Sequence, residues 1–253
     1  MAEDDDMYRF FVTPNQLNGE QVYIDGDDYN HIRNVLRMKV GEEVLLCDEG
    51  DKEYLCEIVG FDTEQDMVEV KVIDVFGNER ELPTKITLFQ GYPKGDKLES
   101  IVQKAVELGV YEIVPVMMKR CVVKLDEKKA SKKVERLNAI ALSAAKQSKR
   151  GIIPKVREVM SLTSACQYAK DMDMLLLPYE NAEGMEYSKR VLGEAVNQKH
   201  IGVFIGPEGG FDAKEVEQIE ALGGKIITLG HRILRTETAG MVVLSLLMFE
   251  LEQ

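Results

Sequence analysis

Two polar, glycine-containing loops carry the residue types that a small-molecule site needs. The first follows an apolar run at 201–205 (IGVFI) and reads Gly-Pro-Glu-Gly-Gly at 206–210, just before a helix that Asp212 and Glu215 would cap. Glycines at the carboxyl end of a buried strand let backbone N–H groups approach a ligand closely. The loop matches neither the dinucleotide-binding pattern G-x-G-x-x-G nor the phosphate loop ending in Lys-Ser/Thr, which disfavours nucleotide hydrolysis. We therefore expect a small-molecule site here.

The second loop, at 229–239 (LGHRILRTETA), lies between a predicted strand and the last helix. For one such turn the ordinary interpretation is an N-cap threonine beside a surface arginine. A second polar turn at a successive strand end favours a shared pocket. A third loop at 177–180 (LPYE) follows another predicted strand, so three strand ends are expected to converge. The glycines and lysines of 90–97 (QGYPKGDK) suggest a phosphate loop, but a strand-to-helix turn is the simpler interpretation.

The elements that must position these loops alternate between strand and helix from about residue 77, a pattern typical of a parallel α/β sheet. The predicted strands are short apolar runs that fit burial on both faces, at 85–90, 112–116, 174–177, 201–205 and 225–229. The first 76 residues instead predict a small β-barrel around one helix at 28–38, with strands at 21–24, 44–47, 54–61 and 67–75. The sequence thus predicts domains at 1–76 and 77–253, with residues 1–6 as a disordered tail.

Composition excludes several classes of protein. The chain has 45% hydrophobic and 30% charged residues, and no apolar stretch approaches the ~20 residues of a membrane span. The acidic N-terminus lacks the order of a secretory signal, so we expect a cytoplasmic protein without a membrane partner. Four scattered cysteines and three histidines predict neither a metal site nor a disulfide framework.

Charge is distributed unevenly. The net charge is −12, which argues against nucleic-acid binding over the whole surface. Residues 119–157, however, contain 13 Lys or Arg and 3 Asp or Glu, an excess of +10 that leaves −22 for the remainder. This segment is a candidate RNA-binding face, and the alternative is a solvated helix face. In the first domain, Arg33 and Arg37 would share one face of the predicted helix and are further candidates for phosphate contact.

The final helix, predicted at 241–251 (MVVLSLLMFEL), is apolar almost all round. Such a helix is buried on more than one side, either within the domain or against a second subunit. The pattern is a first indication of a homodimer.

Taken together, these segments resemble a bacterial family of small-subunit ribosomal RNA methyltransferases that form N3-methyluridine, a branch of the SPOUT methyltransferases. The resemblance covers almost the whole chain, and its most specific parts are 205–211 (IGPEGGF) and 229–239. Further matching segments are RFFV at 9–12, HIRNVLR at 31–37, KGDK at 94–97, QKA at 103–105, ELGV at 107–110, RC at 120–121 and AAKQS at 144–148.

The resemblance implies a fold that physical rules alone do not predict. It implies an N-terminal barrel similar to the RNA-binding PUA domain and a C-terminal α/β domain tied in a trefoil knot. The general rule that chains do not thread loops predicts an ordinary doubly wound sheet instead. The resemblance also implies an obligate homodimer, S-adenosylmethionine (SAM) as cofactor, and ribosomal RNA or the assembled small subunit as substrate.

The resemblance, together with the charge pattern, suggests roles for individual residues. The implied cofactor-binding residues are Leu177, Pro178, Ile205, Gly206, Pro207, Glu208, Gly209, Gly210, Leu229, Gly230, Ile233, Leu234, Arg235 and Thr238. The candidate RNA-binding residues are Arg9, Arg33, Arg37, Lys146, Lys149 and Arg150.

The proposed reaction is attack of uridine N3 on the cofactor's methyl carbon, without a metal ion. The protein must align the reactants and stabilise the anion left when N3 loses its proton. Arg235, and Arg120 reaching from the partner subunit, are the candidates for stabilising that anion. Either Glu208 or Glu237 would accept the proton, or these carboxylates would instead bind backbone amides, and the sequence favours neither interpretation.

Two other functions stay open. A related SPOUT enzyme that methylates transfer RNA or another ribosomal position would share the cofactor loops, and the RNA that receives the methyl group would distinguish it. A non-enzymatic RNA-binding or assembly factor would also fit if it had kept a cofactor pocket. The intact residues at 206–210 and 235–238 argue against that reading, and a cofactor-binding titration would test it.

Overall fold

The structure is a computed structural model that describes residues 7–48, 50, 52–123, 127–180 and 184–252. The tail predicted at residues 1–6 lies outside these residues. Two compact units are present, one formed by 1–81 with 149–153, the other by 82–148 with 154–253. None of the helices in the described ranges is long and apolar enough to cross a membrane.

The first unit is a single curved sheet around one core. Its strands are β1 (Arg9–Phe11), β2 (Leu17–Asn18), β3 (Gln21–Ile24), β4 (Glu43–Cys47), β5 (Lys52–Asp62) and β6 (Met67–Gly77). They pair in the order β1-β4-β5-β6-β3-β2, and only β1 and β4 are parallel. Two register shifts interrupt the pairing of β5 with β6, one at Ile73 in β6 and one at Val59 in β5, and bulges of this kind bend a sheet. Side chains from β1, β3, β4, β5 and β6 meet in one apolar cluster, so the sheet wraps around a shared core.

The helix predicted at 28–38 differs from the structure. A short α1 (Gly26–Asn30) continues into a π-helical turn at His31–Leu36, and the turn ends at Arg37 in the left-handed conformation with φ 57°. Ile32 is fully buried on its inner side. Because the helix stops before Arg37, Arg33 and Arg37 do not share a regular helical face.

The second unit is a parallel sheet, as predicted. Among the described residues its strands are β7 (Lys85–Gly91), β8 (Glu112–Met117), β9 (Lys155–Val156), β10 (Met160–Ser161), β11 (Met174–Pro178), β12 (His200–Ile205) and β13 (Lys225–Ile227). Their order is β10-β8-β7-β12-β11-β13, with β9 also paired to β8, and every pairing is parallel. The five strands predicted from apolar runs are all present. The two-residue β9 and β10 are too short to leave a pattern in the sequence.

Helices cover this sheet. They are α2 (Lys97–Glu107), α3 (Glu127–Gln147), α4 (Leu162–Ala169), α5 (Met185–Gly193), α6 (Ala213–Glu220) and α7 (Thr236–Leu251). The predicted cap of α6 is present, since Asp212 accepts from the backbone of Lys214 and Glu215 accepts from the backbone of Asp212 at 2.8 Å. Helix α7 begins at Thr236 rather than at Met241, so part of the second polar loop is the first turn of this helix.

The path of the chain around α7 is unusual. Strand β13 lies at the edge of the sheet beside β11, whereas α7, which follows it, packs against α2, β7 and β12 nearer the centre. The chain must therefore pass back across the carboxyl ends of β11 and β12. The trefoil knot implied by the family resemblance stays a prediction.

Residues 149–153 group with the first unit, although the sequence analysis placed them in the second domain. The Glu81 carboxylate explains this grouping. It accepts hydrogen bonds from the Arg150 guanidinium at 2.8 and 2.5 Å and from the Gly151 backbone N–H at 2.9 Å. A Cβ atom at Gly151 would overlap the end of the Asn78 side chain, so a larger residue here would displace that side chain.

Candidate functional site

A cavity of about 630 Å³ lies in the second unit, at the carboxyl ends of β11, β12 and β13. Its walls come from the three loops singled out in the sequence together with the first turn of α7. Small-molecule sites have volumes of roughly 300–1,000 Å³ and occur at the carboxyl ends of strands in open α/β sheets. Both the size and the position fit a site for one small organic ligand.

Most residues predicted to bind a cofactor line this cavity: Pro178, Ile205, Gly206, Glu208, Gly209, Gly210, Leu229, Gly230, Ile233 and Leu234. Four others do not. Leu177 and Pro207 are buried behind the wall, and Arg235 and Thr238 are exposed outside it. The sequence shows which loops meet but not which way each side chain points.

The loop at 206–210, here called the glycine loop, is closely packed on one side and open on the other. A Cβ atom at Gly91, the last residue of β7, would lie only 2.5 Å from the backbone nitrogen of Pro207. Gly210 has φ +68° and has no atom within 4 Å of the position of a Cβ. Glycine at 91 therefore allows β7 to touch the loop, while glycine at 210 allows a left-handed turn that leaves backbone exposed to the cavity.

Glu208 is held by several donors. Its Oε1 lies 3.1 Å from Lys97 Nζ and accepts from the Lys94 backbone N–H at 3.2 Å. Desolvation alone would raise the pKa of this carboxyl, but hydrogen bonds from its own backbone, from Lys97 and from Lys94 hold the pKa below its ordinary value. Glu208 is therefore a carboxylate at neutral pH and a poor proton acceptor.

Lys97 also binds Glu237, in the first turn of α7, with Nζ 3.3 Å from Oε2. Hydrogen bonds to Glu208 and then to Glu237 raise the pKa of this lysine, so the ammonium stays charged. Glu237 does not line the cavity. Of the two alternatives that the sequence left open for Glu208 and Glu237, this geometry favours a structural role.

A buried chain of hydrogen bonds joins the same elements from inside. Thr236 Oγ1 donates to the Gly206 carbonyl at 2.6 Å, and Gln90 Nε2 donates to Thr236 Oγ1 at 2.8 Å. Gln90 is fully buried, and its Oε1 has no hydrogen-bond partner within the described residues. Gln90 was not predicted as a site residue, since a lone glutamine at a strand end carries no signal in the sequence.

The two arginines proposed for catalysis lie in different places. Arg120 lines the cavity of its own chain and donates from Nη1 to the Gly209 carbonyl at 3.0 Å. The expectation that Arg120 acts from a partner subunit stays a prediction. Arg235 is the exposed residue that precedes α7 and is not among the residues that line the cavity. His231 and Arg232, in the same loop, do line the cavity, but neither was among the predicted site residues.

Two of the six candidate RNA-binding arginines are internal. Arg9 binds Glu53 with both side chains almost fully buried, and Arg150, 4% exposed, binds Glu81. Burial in these ion pairs argues against RNA contact by the two guanidinium groups, and the RNA-binding roles of Arg9 and Arg150 stay predictions.

The other four candidates reach the surface to different extents. Arg33 is half-buried, with its guanidinium 5.5 Å from the centre of the Phe61 ring, whereas Arg37 is exposed. Lys146 lies in the last turn of α3, and Lys149 follows with φ 55°. Both lysines are partly exposed.

No group of three or more potential metal ligands (His, Cys, Asp or Glu) is close enough to hold a metal ion in the part of the chain that the structure describes.

Comparison with known proteins agrees with this site. A family model described as an RNA methyltransferase domain matches residues 80–248, and an RNA methyltransferase PUA domain matches residues 24–64. The first match contains the whole cavity, and the second lies within the curved sheet of the first unit.

Individual relatives match along nearly the full length. The chain is 38% identical to ribosomal RNA small subunit methyltransferase E of Bacillus subtilis, covering 97% of this chain and 98% of the relative. It is 34% identical to the protein of the same name from Mesomycoplasma hyopneumoniae, covering 94% and 98%. A crystal structure of ribosomal RNA small subunit methyltransferase E from Neisseria gonorrhoeae bound to S-adenosyl methionine has a TM-score of 0.77 at 30% identity, covering 94% and 95%. The chain therefore belongs to the RNA methyltransferase family, with an N-terminal PUA domain.

Proposed function

We propose that this protein transfers the methyl group of SAM to N3 of one uridine in small-subunit ribosomal RNA, in the cytoplasm. The observation that carries the proposal is the cavity formed by three strand-end loops. It lies within the matched methyltransferase domain of a chain that aligns end to end with small-subunit ribosomal RNA methyltransferases. The choice of uridine N3 rests on the sequence resemblance.

The cavity has the chemistry needed to hold SAM. Leu229, Ile233 and Leu234 supply apolar contact, and the turn at Gly210 leaves backbone groups accessible. The ionised Glu208 carboxylate on the wall complements a positively charged ligand. When bound, SAM supplies a methyl group already activated by a positive sulfur, so the protein's task is mainly alignment and exclusion of water.

Arg120 is the residue on the cavity wall best placed to act on the nucleotide. Its Nη1 is fixed on the Gly209 carbonyl, and the remaining guanidinium donors carry a permanent positive charge. Such a group stabilises the anion that forms when uridine N3 loses its proton. We assign Glu208 an electrostatic and structural role, because its carboxylate already forms an ion pair with Lys97. We propose that Arg235 contacts the RNA outside the cavity.

RNA must reach the cavity with its target base unstacked, because N3 is hidden in a paired or stacked nucleotide. The proposed phosphate contacts are Arg33, Arg37, Lys146 and Lys149. The matched PUA domain, which overlaps the first pair, is consistent with RNA contact by the first unit.

We also propose a homodimer through α7. Leu246 is 39% exposed and Phe249 78% exposed on this otherwise apolar helix. Large apolar side chains at the surface of a helix commonly mark an interface. Sedimentation velocity of the wild type and of Phe249→Glu tests this: a dimer that becomes a monomer in the variant supports the interface, and a monomeric wild type contradicts it.

The experiment that tests the function is transfer of labelled methyl from SAM to small ribosomal subunits from a strain that lacks this protein, followed by nucleoside analysis. N3-methyluridine formed by the wild type and lost in Arg120→Ala is the expected result. Label in a different nucleoside refutes the N3 assignment. SAM binding without transfer to small subunits favours another RNA substrate or an assembly factor.

A further inference from the structure

Residues 90–97, from the end of β7 to the start of α2, contact both walls of the cavity without lining it. We call them the clamp segment. The two walls are the glycine loop, after β12, and the first turn of α7, which follows β13. No backbone hydrogen bond is seen between these two walls in the described residues. Their spacing therefore depends on side chains.

The outer arm of the clamp segment is Lys97. One ammonium group binds Glu208 of the glycine loop at 3.1 Å and Glu237 of α7 at 3.3 Å. All three side chains are only about a quarter exposed, at 27%, 24% and 25%. Screening by solvent is therefore weaker than for an exposed pair. Without the lysine, two carboxylates would face each other, so removing it replaces two attractions with a repulsion.

The inner arm is Gln90. Its amide nitrogen donates to Thr236 Oγ1, which in turn donates to the Gly206 carbonyl. This chain connects the same two walls on their buried side. The Gln90 amide also donates to the Gly91 carbonyl at 3.1 Å, which fixes its orientation. The two arms leave from opposite ends of one segment. Lys97 binds both walls directly, whereas Gln90 binds Thr236, whose hydroxyl makes the bond to Gly206 of the other wall.

We propose that the clamp segment sets the width of the cavity, and that Lys97 and Gln90 are positioning residues for the bound ligand. A ligand that contacts both walls binds tightly only when their spacing is already correct, because ordering them on binding costs free energy. The inference rests on the proposed function in one respect, that the ligand is SAM. The clamp itself is a property of the protein alone.

The test compares Lys97→Met with Lys97→Arg and with a matched control, Lys104→Met. Lys104 lies on the same helix and forms an ion pair of 2.9 Å with Glu107, away from the cavity. Hydrogen exchange of the ligand-free protein, followed in peptides covering 206–211 and 236–240, measures the walls directly. We expect faster exchange in both peptides for Lys97→Met, near-wild-type exchange for Lys97→Arg, and no change for Lys104→Met.

SAM binding by calorimetry provides the second measurement. We expect the Kd to rise about tenfold in Lys97→Met and in Gln90→Leu, and to stay within about twofold in Lys104→Met. The melting temperature reports any general loss of stability. If Lys97 has only a structural role, Lys97→Met lowers the melting temperature as much as Lys104→Met does and leaves hydrogen exchange at the two walls unchanged.

The two proposals can fail separately. Unchanged exchange in both walls of Lys97→Met overturns the clamp, whether or not SAM binds. Faster exchange at the walls of Lys97→Met, together with a wild-type protein that does not bind SAM, supports the clamp and overturns the cofactor assignment. Equal losses of SAM affinity in Lys97→Met and Lys104→Met also overturn the clamp, because they show a nonspecific effect of removing a charge.

Discussion

Substitution of Gly91 by alanine tests whether the contact between β7 and the glycine loop is needed for catalysis. The new Cβ would lie 2.5 Å from Pro207 N, 2.7 Å from Pro207 Cδ and 2.9 Å from the Gly206 carbonyl carbon. Ordinary contacts of a Cβ begin at 3.4 Å, so backbone must move by about 0.9 Å. The atoms that would have to yield belong to backbone and to a proline ring, neither of which can rotate away.

Gly91→Ala should lower both the stability of the fold and the rate of methyl transfer. Overpacking of this kind costs about 1–3 kcal/mol of the free energy of unfolding. A displacement near 1 Å of a reacting group lowers the rate by roughly 100-fold. Since Gly206 and Gly209 line the cavity, we expect kcat/KM for methyl transfer to fall by about that factor in a protein that still folds.

The assay is the initial rate of labelled methyl transfer to small subunits at a temperature well below the melting point, with circular dichroism to verify folding. Gly193→Ala is the matched control, because no atom lies within 4 Å of its Cβ and its φ of −63° suits alanine. We expect this control to keep full activity and to gain up to about 1 kcal/mol of stability. If folded Gly91→Ala stays within about twofold of the wild type, the contact does not position the loop and the reasoning is wrong.

Three further predictions concern charge. The pKa of Glu208 is held below its ordinary value of 4.5, so SAM affinity should be constant through neutral pH and fall only as the pH drops through that lowered value. Glu208→Gln should abolish this fall in affinity at acid pH when SAM binding is titrated over a pH series. Arg150→Ala should lose about 3–5 kcal/mol of unfolding free energy, because it leaves the Glu81 carboxylate without its guanidinium, while SAM affinity stays unchanged; equal denaturant midpoints would contradict this. Lys146→Ala should weaken RNA binding and reduce the salt slope by roughly 1 without affecting SAM affinity, and an unaltered slope would exclude Lys146 as a phosphate contact.

The parts of the fold that the sequence predicted are those set by local pattern. The run IGVFI became β12, and Asp212 with Glu215 formed the cap of α6, because burial on two faces and an N-terminal cap each leave a signature within a few residues. The meeting of the three loops followed from parallel topology, which brings carboxyl ends of strands to one edge of the sheet. The start of α7 was placed too late because its first turn is polar.

The parts that the sequence did not predict depend on distant partners. Arg9 and Glu53 are 44 positions apart, and Arg150 and Glu81 are 69 apart, so nothing local distinguishes these arginines from surface ones. Gln90 is separated from Thr236 by 146 positions. A charged or polar residue becomes a core group or a positioning group only when the fold supplies its partner.

Ion pairs within the protein also limit how it can hold RNA. Several basic residues of 119–157 already form ion pairs or hydrogen bonds with other groups of the protein, some buried and some at the surface: Lys119, Arg120, Lys133, Arg136, Arg150 and Arg157. With a net charge of −12 and these basic residues already paired, we expect the chain to neutralise few phosphates, and each phosphate neutralised contributes only about 0.7–0.9 to the salt slope. Affinity must then come mainly from shape and from the unstacked base.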